Sequence, residues 1–135
     1  MTAVFDGYKV ANDTFIYALA PNGCFERVFG KGIAALLRKI SSSNSVNEAC
    51  ADLGLSYTKA MRMIKRTEQT LSIVLLDRHK GGSGREGSRL SDDAVRLLEL
   101  FDELESRNRK AALENSIAFL EELERIRKSK ANSRA

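Results

Sequence analysis

The chain contains 135 residues and carries 22 lysines and arginines against 18 acidic side chains, a formal net charge of +4. Its 43% hydrophobic and 30% charged residues are typical of one folded domain and exclude a largely disordered chain. No apolar run approaches the roughly 20 residues of a membrane span, and the N-terminus shows no secretory signal, so we expect a cytoplasmic protein whose Cys24 and Cys50 are free thiols.

Residues 4–29 predict short β-strands. Segments 14–19 and 25–29 are rich in β-branched and aromatic residues, which favour strands. The sequence Ala20-Pro-Asn-Gly23 between them is a turn signal, because proline fixes φ and Asn-Gly supplies positive φ. We therefore predict a β-hairpin, with residues 8–10 as a candidate third strand.

After Gly30 the apolar spacing changes to that of a helix. Four apolar side chains follow the i, i+3, i+4, i+7 pattern, so residues 32–41 predict an amphipathic helix that ends in the serine-rich segment 41–45. The stripe consists of Ile33, Leu36, Leu37 and Ile40.

Two further helices are predicted on either side of a tight turn. Ser45-Val-Asn-Glu48 matches a capping box and begins a helix over residues 46–53. Gly54 ends that helix, since the left-handed conformation after a helix favours glycine. Ser56 can cap a third helix over residues 57–71.

A strand pair with a glycine-rich loop is predicted next. Residues 72–78 suit a strand, residues 80–87 a loop, and residues 88–90 a returning strand. This order of elements is that of a winged helix-turn-helix, so we predict a mainly α fold with small β elements. The predicted parts are an N-terminal β-hairpin extension (1–29), the winged helix-turn-helix (30–90), a long C-terminal helix or helix pair (91–128) and a frayed basic tail (129–135).

The segment after Gly87 predicts a long helix, because neither glycine nor proline occurs there and Ser91-Asp-Asp93 is a strong helix start. The apolar phase slips near residues 107–111, so this is either one kinked helix or two. Its apolar stripe calls for a partner, and we expect dimerisation, with folding back onto the same domain as the alternative. The predicted dimerisation residues are Leu97, Leu98, Phe101, Leu104, Leu113, Ile117, Leu120 and Leu123.

Positive charge is concentrated in the middle of the chain. Residues 31–90 hold 11 basic and 5 acidic side chains, whereas residues 91–126 hold 5 basic and 10 acidic ones. On the third predicted helix, basic residues share one side, where they could donate hydrogen bonds to bases and phosphates in a major groove. The predicted partner is therefore double-stranded DNA. The predicted recognition residues are Ser56, Tyr57, Thr58, Lys59, Arg62, Lys65 and Arg66.

Roles within this set follow from position. Residues near the helix start are predicted to contact base edges, whereas Lys65 and Arg66 are predicted to contact phosphates. Tyr57 either contacts DNA or anchors the core beside Met61. The glycine-rich loop is a second predicted contact, because its backbone can approach a phosphate closely; the alternative is a loose hairpin tip with solvated charges. The predicted wing residues are Arg78, Lys80, Gly81, Gly82, Ser83, Gly84, Arg85 and Arg89.

Three stretches carry a family resemblance: Phe29-Gly-Lys-Gly-Ile33, Asn47-Glu-Ala-Cys-Ala-Asp-Leu-Gly-Leu-Ser-Tyr-Thr-Lys-Ala60 and Gly81-Gly-Ser-Gly-Arg-Glu-Gly-Ser-Arg-Leu-Ser91. They resemble the N-terminal DNA-binding domain of molybdate-responsive transcriptional regulators, the ModE family, which is similar to the LysR-type winged helix-turn-helix. The resemblance implies a dimer whose recognition helix starts at Ser56-Tyr57 and whose wing is Gly81–Gly84. Met61 stands where the family usually has tryptophan, a departure that concerns core packing. The family's full regulators bind molybdate through C-terminal domains, for which we expect no room here.

These observations predict sequence-specific binding of double-stranded DNA and regulation of transcription as a homodimer, without a molybdate-binding domain. The alternative is a winged-helix protein–protein interaction module that does not read DNA. An enzyme is not expected, because His79 is the only histidine and no nucleophile–base or metal-ligand spacing occurs. The sequence indicates no cofactor, metal, membrane partner or small-molecule effector.

Overall fold

The computed structural model describes residues 4–5, 7–80 and 86–133, and the side chains of residues 7–77 and 87–132. The elements are β1 (Val4–Phe5), β2 (Tyr8–Lys9), β3 (Ile16–Leu19), β4 (Phe25–Phe29), α1 (Lys31–Ser43), α2 (Val46–Leu53), α3 (Tyr57–Leu71), β5 (Leu76–Lys80), β6 (Glu86–Leu90) and α4 (Asp92–Ser133). This order confirms the predicted winged helix with an N-terminal hairpin and a long C-terminal helix. The chain forms two compact units, residues 15–102 and residues 1–14 with 103–135. The domain boundaries derived from the sequence stay a prediction.

The strands β3 and β4 form the predicted hairpin around the expected turn. The amide of Gly23 donates to the carbonyl oxygen of Ala20 at 2.9 Å, and Gly23 adopts a φ of +85°. Glycine reaches this conformation without a steric penalty, which explains its place in the turn. Residues 8–10 do not extend the hairpin, because Tyr8–Lys9 pairs with Val4–Phe5 in a separate antiparallel sheet.

A β-bulge interrupts the hairpin ladder. Ile16 pairs with Phe29 and Tyr17 pairs with Arg27, so Val28 has no partner across the hairpin. The first strand of the hairpin begins at Ile16, two residues later than predicted.

The helix α1 is longer than predicted at both ends. The hydroxyl groups of Ser42 and Ser43 donate to the carbonyl oxygen of Lys39 at 3.0 and 2.8 Å. These bonds let the serines complete the last helical turn instead of ending the helix. The helix ends at Asn44, which adopts a φ of 54° and donates its amide hydrogen to the carbonyl of Ile40 at 2.7 Å.

The helices α2 and α3 have the predicted bounds and N-cap serines. The second half of the predicted capping box does not form, because the amide of Ser45 donates to Oγ of Ser43 at 3.3 Å rather than to Glu48. The Oγ of Ser45 accepts from the amide of Glu48 at 3.2 Å, and the Oγ of Ser56 accepts from the amide of Lys59 at 3.1 Å. Gly54 ends α2 with a φ of 67°. The next amide, that of Leu55, donates to the carbonyl of Cys50 at 2.9 Å, which completes a Schellman motif. Local hydrogen bonds thus fix the turn between the two helices.

The strands β5 and β6 form the antiparallel pair of the predicted wing. The first of them begins at Leu76, four residues later than the predicted start at residue 72. Ser72 ends α3 with a φ of 55°, and the amide of Leu75 donates to Oε2 of Glu68 at 2.8 Å, so this amide cannot join a strand ladder. The loop residues 81–85 lie outside the described residues.

The core of residues 15–102 is built from the three helices α1, α2 and α3, the hairpin and the start of α4. Leu36, Leu37 and Ile64 are completely buried. Phe29 of the hairpin packs edge-on against Phe101 of α4, with ring centroids 5.0 Å apart. The predicted apolar stripe of α1 is confirmed, since all four of its side chains are buried.

The C-terminal element is one continuous helix, α4, which decides between the two predicted alternatives. Ser91 caps it by accepting from the amide of Ala94 at 3.0 Å, and Asp92 and Asp93 occupy its first turn as predicted. No glycine or proline interrupts it, and it continues through residues 129–133, where the sequence predicted a frayed tail. No helix among the described residues is both long and apolar enough to span a membrane.

In the second unit the N-terminal segment lies along α4. The guanidinium of Arg127 lies 5.0 Å from the centroid of the Tyr8 ring, and the side-chain amide of Asn108 donates to Oγ1 of Thr14 at 2.9 Å. The segment therefore runs antiparallel to the helix. Between these contacts, Leu120 of α4 is only 3% exposed.

Candidate nucleic-acid interface

One face of α3 is fixed to the interior of its unit. Ala60 and Ile64 are completely buried, and Thr67 is 3% exposed. The hydroxyl of Thr67 donates to the carbonyl oxygen of Val28 at 2.8 Å, which joins α3 to the bulge of the hairpin. Because this face is anchored, the opposite face of α3 is held towards solvent in a fixed orientation.

All seven predicted recognition residues are exposed, including the cap residue Ser56. The sequence leaves two roles open for Tyr57, a contact to DNA or an anchor in the core. Tyr57 is 47% exposed, which excludes the role in the core. Met61 is half-buried and packs against the core without it. The exposed side chains therefore lie along α3 and at its N-cap.

The charges on this surface are mostly unneutralised. Among the described residues, Lys59, Arg62 and Lys65 form no ion pair. The only acidic residue of α3, Glu68, is half-buried and accepts the amide hydrogen of Leu75. We call the exposed side chains of Lys59, Arg62, Lys65 and Arg66 the basic face of α3.

Arg66 is the exception on the basic face. Its guanidinium lies 3.5 Å from Oε2 of Glu26 on β4, and the two side chains are 58% and 49% exposed. An ion pair this exposed contributes about 0–1 kcal/mol, so an external phosphate can replace the carboxylate. Sequence reasoning missed this pair, because nothing in the local pattern links residues 40 positions apart.

The predicted wing is only partly described. Gly81, Gly82, Ser83, Gly84 and Arg85 lie outside the described residues, as do the side chains of Arg78 and Lys80. Arg89 is exposed on β6 directly opposite Asp77 on β5. The backbone of the strand pair is therefore in place, and the wing contacts stay a prediction.

The predicted dimerisation residues have different environments in the single chain. Leu98 and Phe101 are buried in the core of residues 15–102, and Leu120 is buried in the other unit. Leu97, Leu113 and Leu123 are half-buried. Leu104 and Ile117 are 40% and 45% exposed. Three of the eight predicted residues are thus buried within the single chain and two are exposed, and their role in dimerisation stays a prediction.

No group of three or more histidine, cysteine, aspartate or glutamate side chains in the described part of the chain could hold a metal ion. Cys24 is exposed and Cys50 is buried, and both are free thiols.

The chain is similar in sequence to several curated proteins. The chain is 35% identical to the "Molybdenum transport protein ModE" of Herbaspirillum seropedicae over 74 residues, which are 55% of this chain and 28% of that protein. It is 34% identical to the "DNA-binding transcriptional dual regulator ModE" of Escherichia coli over 77 residues, 57% of this chain and 29% of that protein. It is also 34% identical to the "Transcriptional regulator ModE" of Haemophilus influenzae over 70 residues, 52% of this chain and 28% of that protein.

These matches confirm the resemblance to the ModE family predicted from the sequence motifs. The chain spans less than a third of the length of the curated relatives that it matches. No protein-family model matches the chain. None of the three names describes an enzyme.

Proposed function

We propose that this chain binds double-stranded DNA in a sequence-specific manner and thereby regulates transcription. The observation that carries the proposal is the basic face of α3, whose cations are exposed while the rest of the helix is anchored by Ala60, Ile64 and Thr67. A rigid helix with exposed cations on one side fits the major groove, which admits an α-helix. The curated name of the Escherichia coli relative, a DNA-binding transcriptional regulator, supports the same activity.

The proposed contacts follow from the position of each side chain on α3. Thr58, Lys59 and Arg62, near the start of the helix, reach base edges, where arginine and lysine donate to guanine O6 and N7. Lys65 and Arg66, further along, contact phosphates and set the register of the protein on the duplex. The glycine-rich loop between β5 and β6 adds backbone contacts to a neighbouring phosphate.

We also propose that two copies bind together. The support is the exposed part of the apolar stripe on α4, since Leu104 and Ile117 are each at least 40% exposed. A twofold dimer would place two recognition helices one turn of DNA apart, about 34–36 Å. Sedimentation equilibrium should give twice the chain mass, and Ile117→Asp should shift the equilibrium towards the monomer. A wild-type chain that sediments as a monomer at the concentrations of DNA binding would contradict this proposal.

The test of sequence-specific binding is selection of duplexes from a random-sequence library. We expect one enriched motif, with two half-sites related by twofold symmetry. Arg62→Ala should relax the preference at one base position, at a cost of about 1–3 kcal/mol for the preferred base. Arg96→Ala removes an exposed arginine of α4 that pairs with Glu99, and should leave the motif unchanged.

A selection without any enriched motif would contradict the proposal. It would favour the second candidate function, binding of a protein partner. An exposed apolar pair on the hairpin supports this candidate. Leu19 and Phe25 lie opposite each other next to the turn and are 64% and 68% exposed. Exposed apolar side chains that adjoin in this manner are typical of protein-binding surfaces.

A further inference from the structure

A cavity of about 220 Å³ lies between the hairpin, the first turn of α1 and the middle of α3. Its wall is mainly apolar and includes Phe15, Ile33 and Met63. Arg27 and Arg66 are the only charged residues among the ten that line it, and none of the ten is acidic. The cavity thus combines an apolar interior with positive charge.

Two glycines keep this space open at the start of α1. Gly30 and Gly32 both line the cavity. The ring of Phe15 lies so close to Gly30 that a Cβ on this residue would be 2.5 Å from the ring. A Cβ on Gly32 would meet only the terminal methyl of Met63, at 4.0 Å. Gly32 lines the cavity, so a larger side chain there has room to enter it.

The charges around the cavity favour an anion. The guanidinium of Arg27 lies 3.8 Å above the ring of Phe15, which holds it against the cavity wall. Among the described residues, Arg66 pairs with the exposed carboxylate of Glu26 alone. The amino end of α1 also borders the cavity, because its cap residue Gly30 lines the wall. Gly30 supplies no side-chain hydrogen bond and the first turn contains no acidic residue, so no side chain of this turn offsets the positive end of the helix dipole.

We propose that this cavity binds a small organic carboxylate with a compact apolar body. The apolar body would lie against Phe15, Ile33 and Met63, and the carboxylate would lie between Arg27 and Arg66, where it replaces Glu26. The volume fits this class, since a cavity of about 150 Å³ in another protein accommodates benzene. Drug-sized ligands need pockets of about 300 Å³ or more, so the cavity suits a ligand smaller than these.

This ligand would weaken DNA binding, a consequence that rests on the proposed function. Arg66 is a proposed phosphate contact, so a carboxylate that holds its guanidinium competes with the phosphate. Coupling between two ligands is reciprocal, and DNA would therefore weaken carboxylate binding by the same factor. The cavity would then be an effector site within the DNA-binding unit itself.

The direct test uses benzoate as the probe and benzyl alcohol as its neutral analogue, with binding measured by NMR chemical-shift titration of the full chain without DNA. We expect benzoate to bind with a dissociation constant of about 1 mM, a modest value for nine non-hydrogen atoms. The shift changes should be confined to the residues that line the cavity. Benzyl alcohol should bind at least about fivefold more weakly, because it lacks the charge that the arginines recognise.

Two variants distinguish the contribution of the arginine charge to probe binding from that of the cavity space. Arg27→Gln should weaken benzoate about two- to fivefold and leave benzyl alcohol unchanged. Gly32→Leu should abolish binding of both probes by filling the space. Ser41→Leu, an exposed position on the same helix, adds the same side chain outside the cavity and should leave both affinities unchanged.

Three results would overturn the carboxylate site: no saturable benzoate binding, shift changes spread over the surface, or equal loss of both probes in Arg27→Gln. A DNA titration with benzoate then tests the coupling. Failure to bind DNA at all refutes the proposed function and leaves the cavity site intact. DNA binding that benzoate does not weaken, in a chain that binds benzoate, refutes only the competition for Arg66.

Discussion

Replacing Thr67 by valine tests whether the hairpin is anchored to α3 by a buried hydrogen bond. The bulge leaves Val28 unpaired across the hairpin, and the Thr67 hydroxyl donates to its carbonyl oxygen at 2.8 Å. Both residues are at most 5% exposed, so water cannot readily replace the lost donor. Valine keeps the shape of threonine and removes only the hydroxyl.

The expected loss of stability follows from two opposing effects. Leaving the buried carbonyl of Val28 without a donor costs about 1–3 kcal/mol. The methyl group that replaces the hydroxyl of Thr67 recovers about 0.8 kcal/mol through burial. We therefore expect a net loss of about 0.2–2 kcal/mol in the free energy of unfolding, which lowers the melting temperature by about 1–6 °C.

Urea unfolding followed by circular dichroism measures this loss, with Thr70→Val as the matched control. Thr70 lies one turn later on α3, is exposed, and donates its hydroxyl hydrogen to the carbonyl of Arg66 at 2.8 Å. That carbonyl is accessible to water, so the control should change stability by less than about 0.5 kcal/mol. Equal effects of the two variants would refute the claim that the buried bond to the hairpin is the stabilising contact.

Two further predictions concern the cavity region. Gly30→Ala should destabilise the chain by about 1–3 kcal/mol in the same unfolding assay, because its Cβ would lie 2.5 Å from the Phe15 ring, whereas Gly32→Ala should be neutral or stabilising. Equal stability of the two alanine variants would contradict this packing. Glu26→Gln should raise DNA affinity up to about fivefold in a fluorescence anisotropy titration, because it releases Arg66 and removes a negative charge beside α3. Unchanged or lower affinity would contradict the competition between Glu26 and phosphate.

The features that the sequence predicts well depend on neighbouring residues. The caps at Ser45 and Ser56 and the left-handed Gly54 are set by hydrogen bonds within a few positions, so residue types at fixed spacing identify them. The helix-turn-helix and its exposed basic face follow from these caps together with the apolar period. The bounds of α2 and α3 were therefore predicted correctly.

The features that the sequence does not predict depend on contacts between distant segments. The start of β5 is delayed because Glu68 takes the amide of Leu75, and no strand propensity encodes this bond. The approach of Phe15 to Gly30 and the pair of Glu26 with Arg66 arise only when the hairpin packs on the helices. The cavity is formed by the same packing, so no motif could reveal it.

The most direct test of DNA recognition by α3 is the salt dependence of DNA affinity. In an anisotropy titration between about 50 and 200 mM salt, the logarithm of the association constant should fall linearly with the logarithm of salt concentration. Lys65→Ala should reduce the magnitude of that slope by about 1, because one phosphate contact is lost. Lys128→Ala, an exposed lysine of α4, should leave it unchanged. Affinity that does not depend on salt, or equal slopes for Lys65→Ala and the wild type, would contradict recognition of DNA by the basic face of α3.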